Sequence, residues 1–150
     1  MEELKKYITN IPDFPAKGII FRDVTSLLQS GEGFSAAVDE MLKQLDDIKF
    51  DAVLGLEARG FLFGAPVAYA KKKSFVPVRK KGKLPRATVS AEYELEYGKA
   101  EVEIHTDSLK KGDKVAVVGC SDPLRSYEVV NKIFFILEEK GLVPVMSRFL

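Results

Sequence analysis

The chain has 150 residues, 46% hydrophobic and 30% charged, which predicts one globular domain, residues 1–150. The net charge is only +1, without the basic excess of nucleic-acid-binding proteins. One cysteine, Cys120, rules out an internal disulfide and suits a reducing compartment. The charged N-terminus is unlike a signal peptide, and no apolar run reaches the roughly 20 residues of a membrane span. We therefore expect a cytoplasmic protein with no nucleic-acid and no membrane partner.

Strand-like and helix-like segments alternate along the chain. Short apolar runs are typical of buried parallel strands, and apolar residues at helical spacing indicate amphipathic helices. In chain order, the pattern predicts a short helix at 2–8, a rigid loop at 11–23, a helix at 32–47, a strand at 51–56, a helix at 59–72, a strand at 74–79, hairpin strands at 89–95 and 100–105, a strand at 114–118, a helix at 126–140 capped by Gly141, and a strand at 142–150.

This alternation predicts an α/β fold with a doubly wound, mostly parallel sheet, to which the hairpin adds a flap. Ligands in such sheets bind beyond the carboxyl ends of the strands. Three predicted loops leave strand ends there, at 55–60, 79–87 and 119–126. We expect the functional site at these loops.

The second of these loops carries the clearest functional signal. Gly82 and Pro85 interrupt it, which predicts a loop rather than a helix. Clustered cations indicate a ligand with several negative charges, most simply phosphates, over which the loop can close. The alternative is a solvated basic loop. Five cations lie within eight residues: Arg79, Lys80, Lys81, Lys83 and Arg86.

The first loop holds a tight turn, Glu57-Ala58-Arg59-Gly60, that leads into a predicted helix. Its backbone amides and Arg59 are suited to binding a phosphate at the helix N-terminus. The alternative is an ordinary strand-to-helix turn with a surface arginine.

Three segments carry a family resemblance: IPDFPAKGIIFRDVT, LEARGFLFGAPVA and the long segment from Val76 to Val115. Together they resemble the adenine phosphoribosyltransferase family. The first is similar to its adenine-side loop, assigned to 10–24, and the second to its pyrophosphate loop and following helix. VPVRKKGKLPRATVSAEYELEYGKAEVEIHTDSLKKGDKV is similar to its flexible loop and hairpin, assigned to 79–106. The resemblance covers residues 1–118 closely in order and spacing. It implies a type I phosphoribosyltransferase fold.

The resemblance implies purine salvage: adenine and phosphoribosyl pyrophosphate give AMP and pyrophosphate. Mg²⁺ would be carried by the substrate, with no direct protein ligand, and the chain would form a homodimer through the surface around the pyrophosphate loop. The implied substrate-binding residues are Phe21 (or Ile20) and Arg22 beside adenine, and Ala58, Arg59, Gly60, Arg79, Lys80 and Lys83 around pyrophosphate.

The resemblance assigns the catalytic steps to Glu96 and Tyr97. Glu96 would be the acid or base near adenine N7 and N9, and Tyr97 would help to close the flexible loop. The chemistry suits these residue types, because a carboxylate can donate or accept the proton of the purine ring, and cations can stabilise the departing pyrophosphate. The alternative for Glu96 is an ion pair with Lys99 or Lys83.

The third loop departs from the family pattern. At this position family members carry two adjacent acidic residues, then two apolar residues, and then the sequence Ala-Thr-Gly-Gly-Thr. In this chain Gly119 and Cys120 replace the acids, and residues 119–127 lack the Thr-Gly-Gly-Thr cradle. We expect that a phosphate could still be bound by the residues near the next helix, Ser121, Arg125 and Ser126, and that Asp122 could replace one acid.

Two alternatives to an active enzyme follow from this departure. The first is a catalytically disabled relative that binds a purine, nucleotide or pyrophosphate as a regulatory or interaction protein. The second is a non-functional variant, altered in the loop and shortened, because family members continue beyond Leu150.

Overall fold

A computed structural model of the chain describes residues 2–95, 98–119, 137–139 and 141–145. In these ranges the helices are a 3-10 helix at Glu2–Tyr7, α1 at Thr25–Gln29, α2 at Gly31–Gln44 and α3 at Arg59–Lys71, and residues 137–139 are also helical. The strands are β1 at Thr9–Pro12, β2 at Ile20–Asp23, β3 at Ala52–Leu56, β4 at Ser74–Lys80, β5 at Thr88–Leu95, β6 at Gly98–His105, β7 at Lys114–Val118 and β8 at Val143–Val145.

The main sheet has the strand order β5-β6-β4-β3-β7-β8. The pairs β3–β4, β3–β7 and β7–β8 are parallel, as the alternation of strands and helices predicts. The β5–β6 hairpin is antiparallel, and it joins the sheet through two residue pairs, Arg79 with Glu103 and Lys80 with Val102. The predicted flap is thus tied to the end of β4.

The two faces of the sheet bury separate apolar clusters. Successive residues of a strand point to opposite faces. Val53 therefore packs with α2 and α3 on one face, while Ala52 and Leu54 pack with Leu137 and Leu142 on the other. Elements cover both faces, as in a doubly wound sheet. Phe63 on α3, which is almost fully buried, is among the largest core side chains.

The N-terminal segment differs from the predicted rigid loop at 11–23. It forms a small antiparallel hairpin, β1–β2, with four register pairs from Thr9–Asp23 to Pro12–Ile20. The connecting turn is closed by Asp13, whose Oδ1 accepts the amide of Gly18 at 2.6 Å. The sequence pattern missed these strands because the prolines and glycine dominate it and apolar residues do not alternate.

The C-terminal predictions are described only in part. Residues 137–139 are helical, and Gly141 has φ +73, with its amide donating to the carbonyl of Glu138 at 2.8 Å. This confirms Gly141 as the helix cap. Most of the predicted helix at 126–140 and the end of the predicted strand at 142–150 lie outside the described residues. Within the described ranges, no helix is long and apolar enough to span a membrane.

Candidate active site

The turn at residues 57–60, between β3 and α3, lies against the ends of the neighbouring strands. A Cβ atom at Gly60 would lie 2.5 Å from the carbonyl oxygen of Val118 at the end of β7, so glycine is needed there. On the other side, the amide of Glu57 donates to the carbonyl of Val78 in β4 at 3.0 Å. The turn therefore occupies the carboxyl ends of three parallel strands, where α/β sheets bind ligands.

The β1–β2 hairpin reaches this turn through Arg59. The guanidinium carbon of Arg59 lies 5.9 Å from the centre of the Phe21 ring, which in turn packs edge-on against Phe14 at 5.2 Å between centroids. Hydrogen bonds from Thr25 lower the pKa of the Asp23 carboxyl, and the charge of Arg59 adds to this effect. Aromatic rings and a cation thus share one edge of the site.

Glu57 links the turn to the end of β4. Its Oε2 accepts the amide of Lys80 at 2.8 Å and Nε of Arg79 at 3.3 Å. The Lys80 amide lowers the pKa of Glu57 most, against an opposing effect of burial, and Arg79 lowers it further. Glu57 is therefore ionised at neutral pH and ties the turn to the end of β4.

The backbone of Lys83 is held from both sides. Its amide donates to Oε1 of Glu103 at 2.9 Å, and its carbonyl accepts Nη1 of Arg79 at 3.1 Å. The same Glu103 oxygen accepts the amide of Leu84 at 3.0 Å. Gly82, with φ +80, occupies the turn that places Lys83 there. The position of Lys83 is therefore set by two residues of the main sheet.

Ion pairs divide the cations of the predicted loop into two groups. Lys81 pairs with Glu101 at 2.7 Å, Arg86 pairs with Asp107, and Arg79 pairs with Glu57. In the described part of the chain, Lys80 and Lys83 are exposed and form no ion pair. Of the five cations of this segment, these two ammonium groups are the ones for which the described residues provide no ion-pair partner.

The predicted loop at 79–87 begins later than expected. Arg79 and Lys80 belong to β4, because β6 provides an antiparallel partner that extends the strand past its parallel neighbour β3. The irregular segment is therefore residues 81–87. The first two cations of the segment, Arg79 and Lys80, therefore lie in a strand rather than in a loop.

The structure brings together the predicted base-side and pyrophosphate-side residues that it describes. Phe21 and Arg59 are in contact, Ala58 and Gly60 flank Arg59 in the turn, and Arg79, Lys80 and Lys83 lie at the end of β4 and just beyond. Arg22 is exposed on β2, opposite Asn10. The remaining predicted residues, Glu96, Tyr97, Ser121, Asp122, Arg125 and Ser126, lie outside the described residues. Among the described residues, no group of three or more His, Cys, Asp or Glu side chains could hold a metal ion.

Sequence reasoning assigned no role to Glu103 or Glu57, although both organise the site. A signal for Glu103 was present, since Glu101 and Glu103 alternate along a strand that follows a cationic loop. Alternation places both on one face of β6, within reach of cations and amides on the adjacent strand. Glu57 carried no comparable signal, because its partners at 79 and 80 are distant in sequence.

A parallel sheet with a tight turn after β3, a cationic end on β4 and an attached antiparallel hairpin defines a type I phosphoribosyltransferase fold. No protein-family model matches the chain. An adenine phosphoribosyltransferase of Agathobacter rectalis is 58% identical over 150 residues, which are 100% of this chain and 85% of that protein. The chain belongs to the adenine phosphoribosyltransferase family.

Solved structures of the same family agree with the fold. The adenine phosphoribosyltransferase of Thermoanaerobacter pseudethanolicus superposes with a TM-score of 0.85 at 43% identity, over 95% of this chain and 82% of that one. The enzyme of Saccharomyces cerevisiae, complexed with an imino-altritol bisphosphate and adenine, gives a TM-score of 0.82 at 32% identity, over 96% of this chain and 83% of that one.

Proposed function

We propose that this chain is a pentosyltransferase of purine salvage that transfers the phosphoribosyl group of phosphoribosyl pyrophosphate to adenine, giving AMP and pyrophosphate. Identity of 58% over the 150 residues of this chain, which cover 85% of a protein named for this activity, supports the proposal. The chain would form one phosphoribosyltransferase domain over residues 1–150, which is supported by the single six-stranded sheet that the described residues build.

The contact between Arg59 and Phe21 carries the proposal. It joins the turn suited to phosphate with the hairpin that bears exposed aromatic and aliphatic side chains, including Phe14 and Ile20. A flat apolar base and a polyanion need such surfaces side by side, because the bond to be made joins the base to the carbon that loses pyrophosphate. Phe21 and Arg22 would border adenine.

Cations from the turn after β3 and from the end of β4 would hold the leaving group. Arg59, Arg79, Lys80 and Lys83, with the amides of 58–60, would bind the pyrophosphate as negative charge builds on it. Glu96 would move the proton of the purine ring, and Tyr97 would help to cover the site.

The third loop would hold the sugar phosphate by different residues from those of the family pattern. Ser121, Arg125 and Ser126 would bind the 5′-phosphate, and Asp122 would replace one of the missing acids at the ribose hydroxyls. Hydroxyl and guanidinium groups near the start of a helix are suited to donating hydrogen bonds to phosphate oxygens.

Mg²⁺ would enter with phosphoribosyl pyrophosphate, bound mainly by phosphate oxygens and water, as this ion commonly is. The residues of the turn fit this arrangement. Oε2 of Glu57, the carboxylate of the turn, already accepts hydrogen bonds from Arg79 and Lys80, so this oxygen is not free to bind the ion. When bound, Mg²⁺ would supply charge that stabilises the departing pyrophosphate.

Turnover tests the proposal. Purified protein is mixed with adenine, phosphoribosyl pyrophosphate and Mg²⁺, and AMP is measured, with Glu96→Gln as the matched variant that keeps the size of the side chain. AMP formation that falls in the variant supports the enzyme. No AMP from folded wild-type protein would contradict it.

A catalytically disabled relative is the second candidate, and the replacement of the acid pair by Gly119 and Cys120 favours it. Such a protein would bind a purine, nucleotide or pyrophosphate without turnover. Titration calorimetry distinguishes the two, because an enzyme must bind phosphoribosyl pyrophosphate in the presence of Mg²⁺, whereas a sensor would bind AMP or adenine alone.

A homodimer would form through the outer surface of α3, next to the turn. Leu62 and Tyr69 lie two helical turns apart on this helix, and they are 45% and 88% exposed. Large apolar groups on one exposed helix face are typical of an interface. Light scattering of Leu62→Lys tests this assignment, with Lys43→Glu on α2 as a surface control. A dimeric Leu62→Lys protein would contradict it.

The chain would act in the cytoplasm. Its substrate phosphoribosyl pyrophosphate and its product AMP would carry phosphate charges that retain them inside cells, and its one cysteine suits a reducing compartment. Fractionation of cells that express the protein, followed by immunoblotting, tests this location.

A further inference from the structure

Glu103 is a buried carboxylate whose contacts serve the loop rather than the reaction. It is only 5% exposed, on a strand whose neighbouring acid, Glu101, reaches the surface and pairs with Lys81. A buried charge is unfavourable unless hydrogen bonds compensate it. The groups that compensate Glu103 therefore show what this residue is placed to hold.

Those groups belong to the segment that follows β4. The amides of Lys83 and Leu84 donate to Oε1 of Glu103 at 2.9 and 3.0 Å. Burial raises the pKa of Glu103, but these amides, the Thr88 hydroxyl and the Gly82 amide together hold the pKa below its ordinary value. The carboxylate is therefore charged at neutral pH, and its hydrogen bonds are of the stronger, charge-assisted kind.

The other attachments of the segment lie nearer its ends. Lys81 pairs with Glu101, and its amide donates to the Glu101 carbonyl at 3.1 Å. Arg86 pairs with Asp107 on an exposed surface, where water and salt screen ion pairs.

The carbonyl of Lys83 is held by Arg79, which itself is proposed to bind pyrophosphate. The Lys83 amide also donates to the Lys80 carbonyl at 3.2 Å, within the same turn. Glu103 is thus the side chain that holds the Lys83 backbone to the sheet and is not itself proposed to bind ligand.

We propose that Glu103 is a positioning residue for the leaving group: it fixes the Lys83 backbone so that the Lys83 ammonium stands at the pyrophosphate end of the site. The inference rests on the proposed function and deepens it. Glu103 touches no substrate; it acts through Lys83.

Ligand affinity in three variants tests this role. Glu103→Ala removes the acceptor, Glu103→Gln keeps an oxygen acceptor of the same length without the charge, and Glu101→Gln is the control on the same strand. Titration calorimetry gives the Kd of phosphoribosyl pyrophosphate with Mg²⁺ and, separately, the Kd of adenine. Amide hydrogen exchange of Lys83 and Leu84 is measured on the same samples.

We expect Glu103→Ala to weaken phosphoribosyl pyrophosphate binding about tenfold or more and to change adenine binding less than about twofold. Glu103→Gln should lie between Glu103→Ala and the wild type, and Glu101→Gln should match the wild type. Exchange at Lys83 and Leu84 should accelerate in Glu103→Ala and not in Glu101→Gln, while exchange at core residues such as Val53 stays unchanged.

Unchanged affinity for phosphoribosyl pyrophosphate in Glu103→Ala would overturn the inference, as would an equal loss of affinity for both ligands. A wild-type protein that does not bind phosphoribosyl pyrophosphate would overturn it too. Absence of turnover with binding intact would contradict the proposed enzyme alone, because every readout here is independent of AMP formation.

Discussion

Arg79 and Glu103 face each other across β4 and β6, and they hold opposite ends of one residue: Glu103 accepts the amide of Lys83, and Arg79 donates to its carbonyl. Arg79 also contacts Glu57 in the turn after β3. A chain of polar contacts therefore connects the turn, the strand end and the loop. The antiparallel hairpin contributes to the site because its strand β6 carries Glu103, on which this series of polar contacts depends.

Arg79→Lys should weaken phosphoribosyl pyrophosphate binding about tenfold, and Arg79→Ala should weaken it more. Arg79 contacts Glu57 through Nε and the Lys83 carbonyl through Nη1, and the one nitrogen of a lysine does not reproduce the spread of this fork. Calorimetry with the Mg²⁺ complex measures the effect. Lys81→Ala is the control, since Lys81 pairs with Glu101; full affinity in Arg79→Lys would contradict the prediction.

Glu57→Gln should lower the free energy of unfolding at pH 7 by about 1 kcal/mol, because it weakens charge-assisted hydrogen bonds to Lys80 and Arg79. The folded state lowers the pKa of Glu57, so this stabilisation is complete above the ordinary glutamate pKa of about 4.3 and is lost as the pH falls through the lowered value. Urea unfolding of both proteins across this pH range measures the difference.

Glu40→Gln provides the matched control for that pH series. Glu40 lies near Lys43 on the surface of α2, at 4.0 Å, and takes no part in the site. Its stability should follow the wild type at every pH. A difference between wild type and Glu57→Gln that stays constant down to pH values far below the ordinary glutamate pKa would refute the assignment to this carboxylate.

Gly60→Ala should destabilise the fold by about 2 kcal/mol or more, because its Cβ would meet the Val118 carbonyl at 2.5 Å in rigid backbone. Gly31→Ala, at the first residue of α2, meets nothing within 4 Å and should be neutral or slightly stabilising. Thermal unfolding of the two variants compares them directly. Equal midpoints would show that the turn can move away from β7.

Asp107→Asn should leave phosphoribosyl pyrophosphate affinity unchanged within about twofold, because the Arg86–Asp107 pair is exposed and screened. The loop would still be held by Glu103 and Arg79. Calorimetry at low and high salt measures the affinity of the variant and the wild type for phosphoribosyl pyrophosphate. A marked loss of affinity at low salt would mean that the exposed pair, rather than the buried anchor, sets the loop position.

Much of the fold was predictable because its signals are local. The runs at Val53 and Val115 are apolar and short, and the helix starting at Arg59 follows a tight glycine turn. The predicted positions of these two strands and this helix agree with the structure within a few residues. The β1–β2 hairpin was not predictable in the same way. Its pairing depends on backbone contacts between Pro12 and Ile20 rather than on an apolar pattern.

The site was predictable in its residue types but not in its connections. The cation cluster indicated phosphate, yet only the folded structure shows that Lys81 and Arg86 form ion pairs, while Lys80 and Lys83 form none with the described residues. For Glu103 the sequence holds only the alternation with Glu101 as a signal, because the partners of Glu103 are backbone amides that residue types do not indicate.

The most direct test of the central claim is the stoichiometry of turnover by the wild-type chain. Adenine and phosphoribosyl pyrophosphate with Mg²⁺ should yield AMP and pyrophosphate in equal amounts, and omission of adenine should abolish both. Folded protein that binds phosphoribosyl pyrophosphate but forms neither product, at any adenine concentration, would contradict the claim.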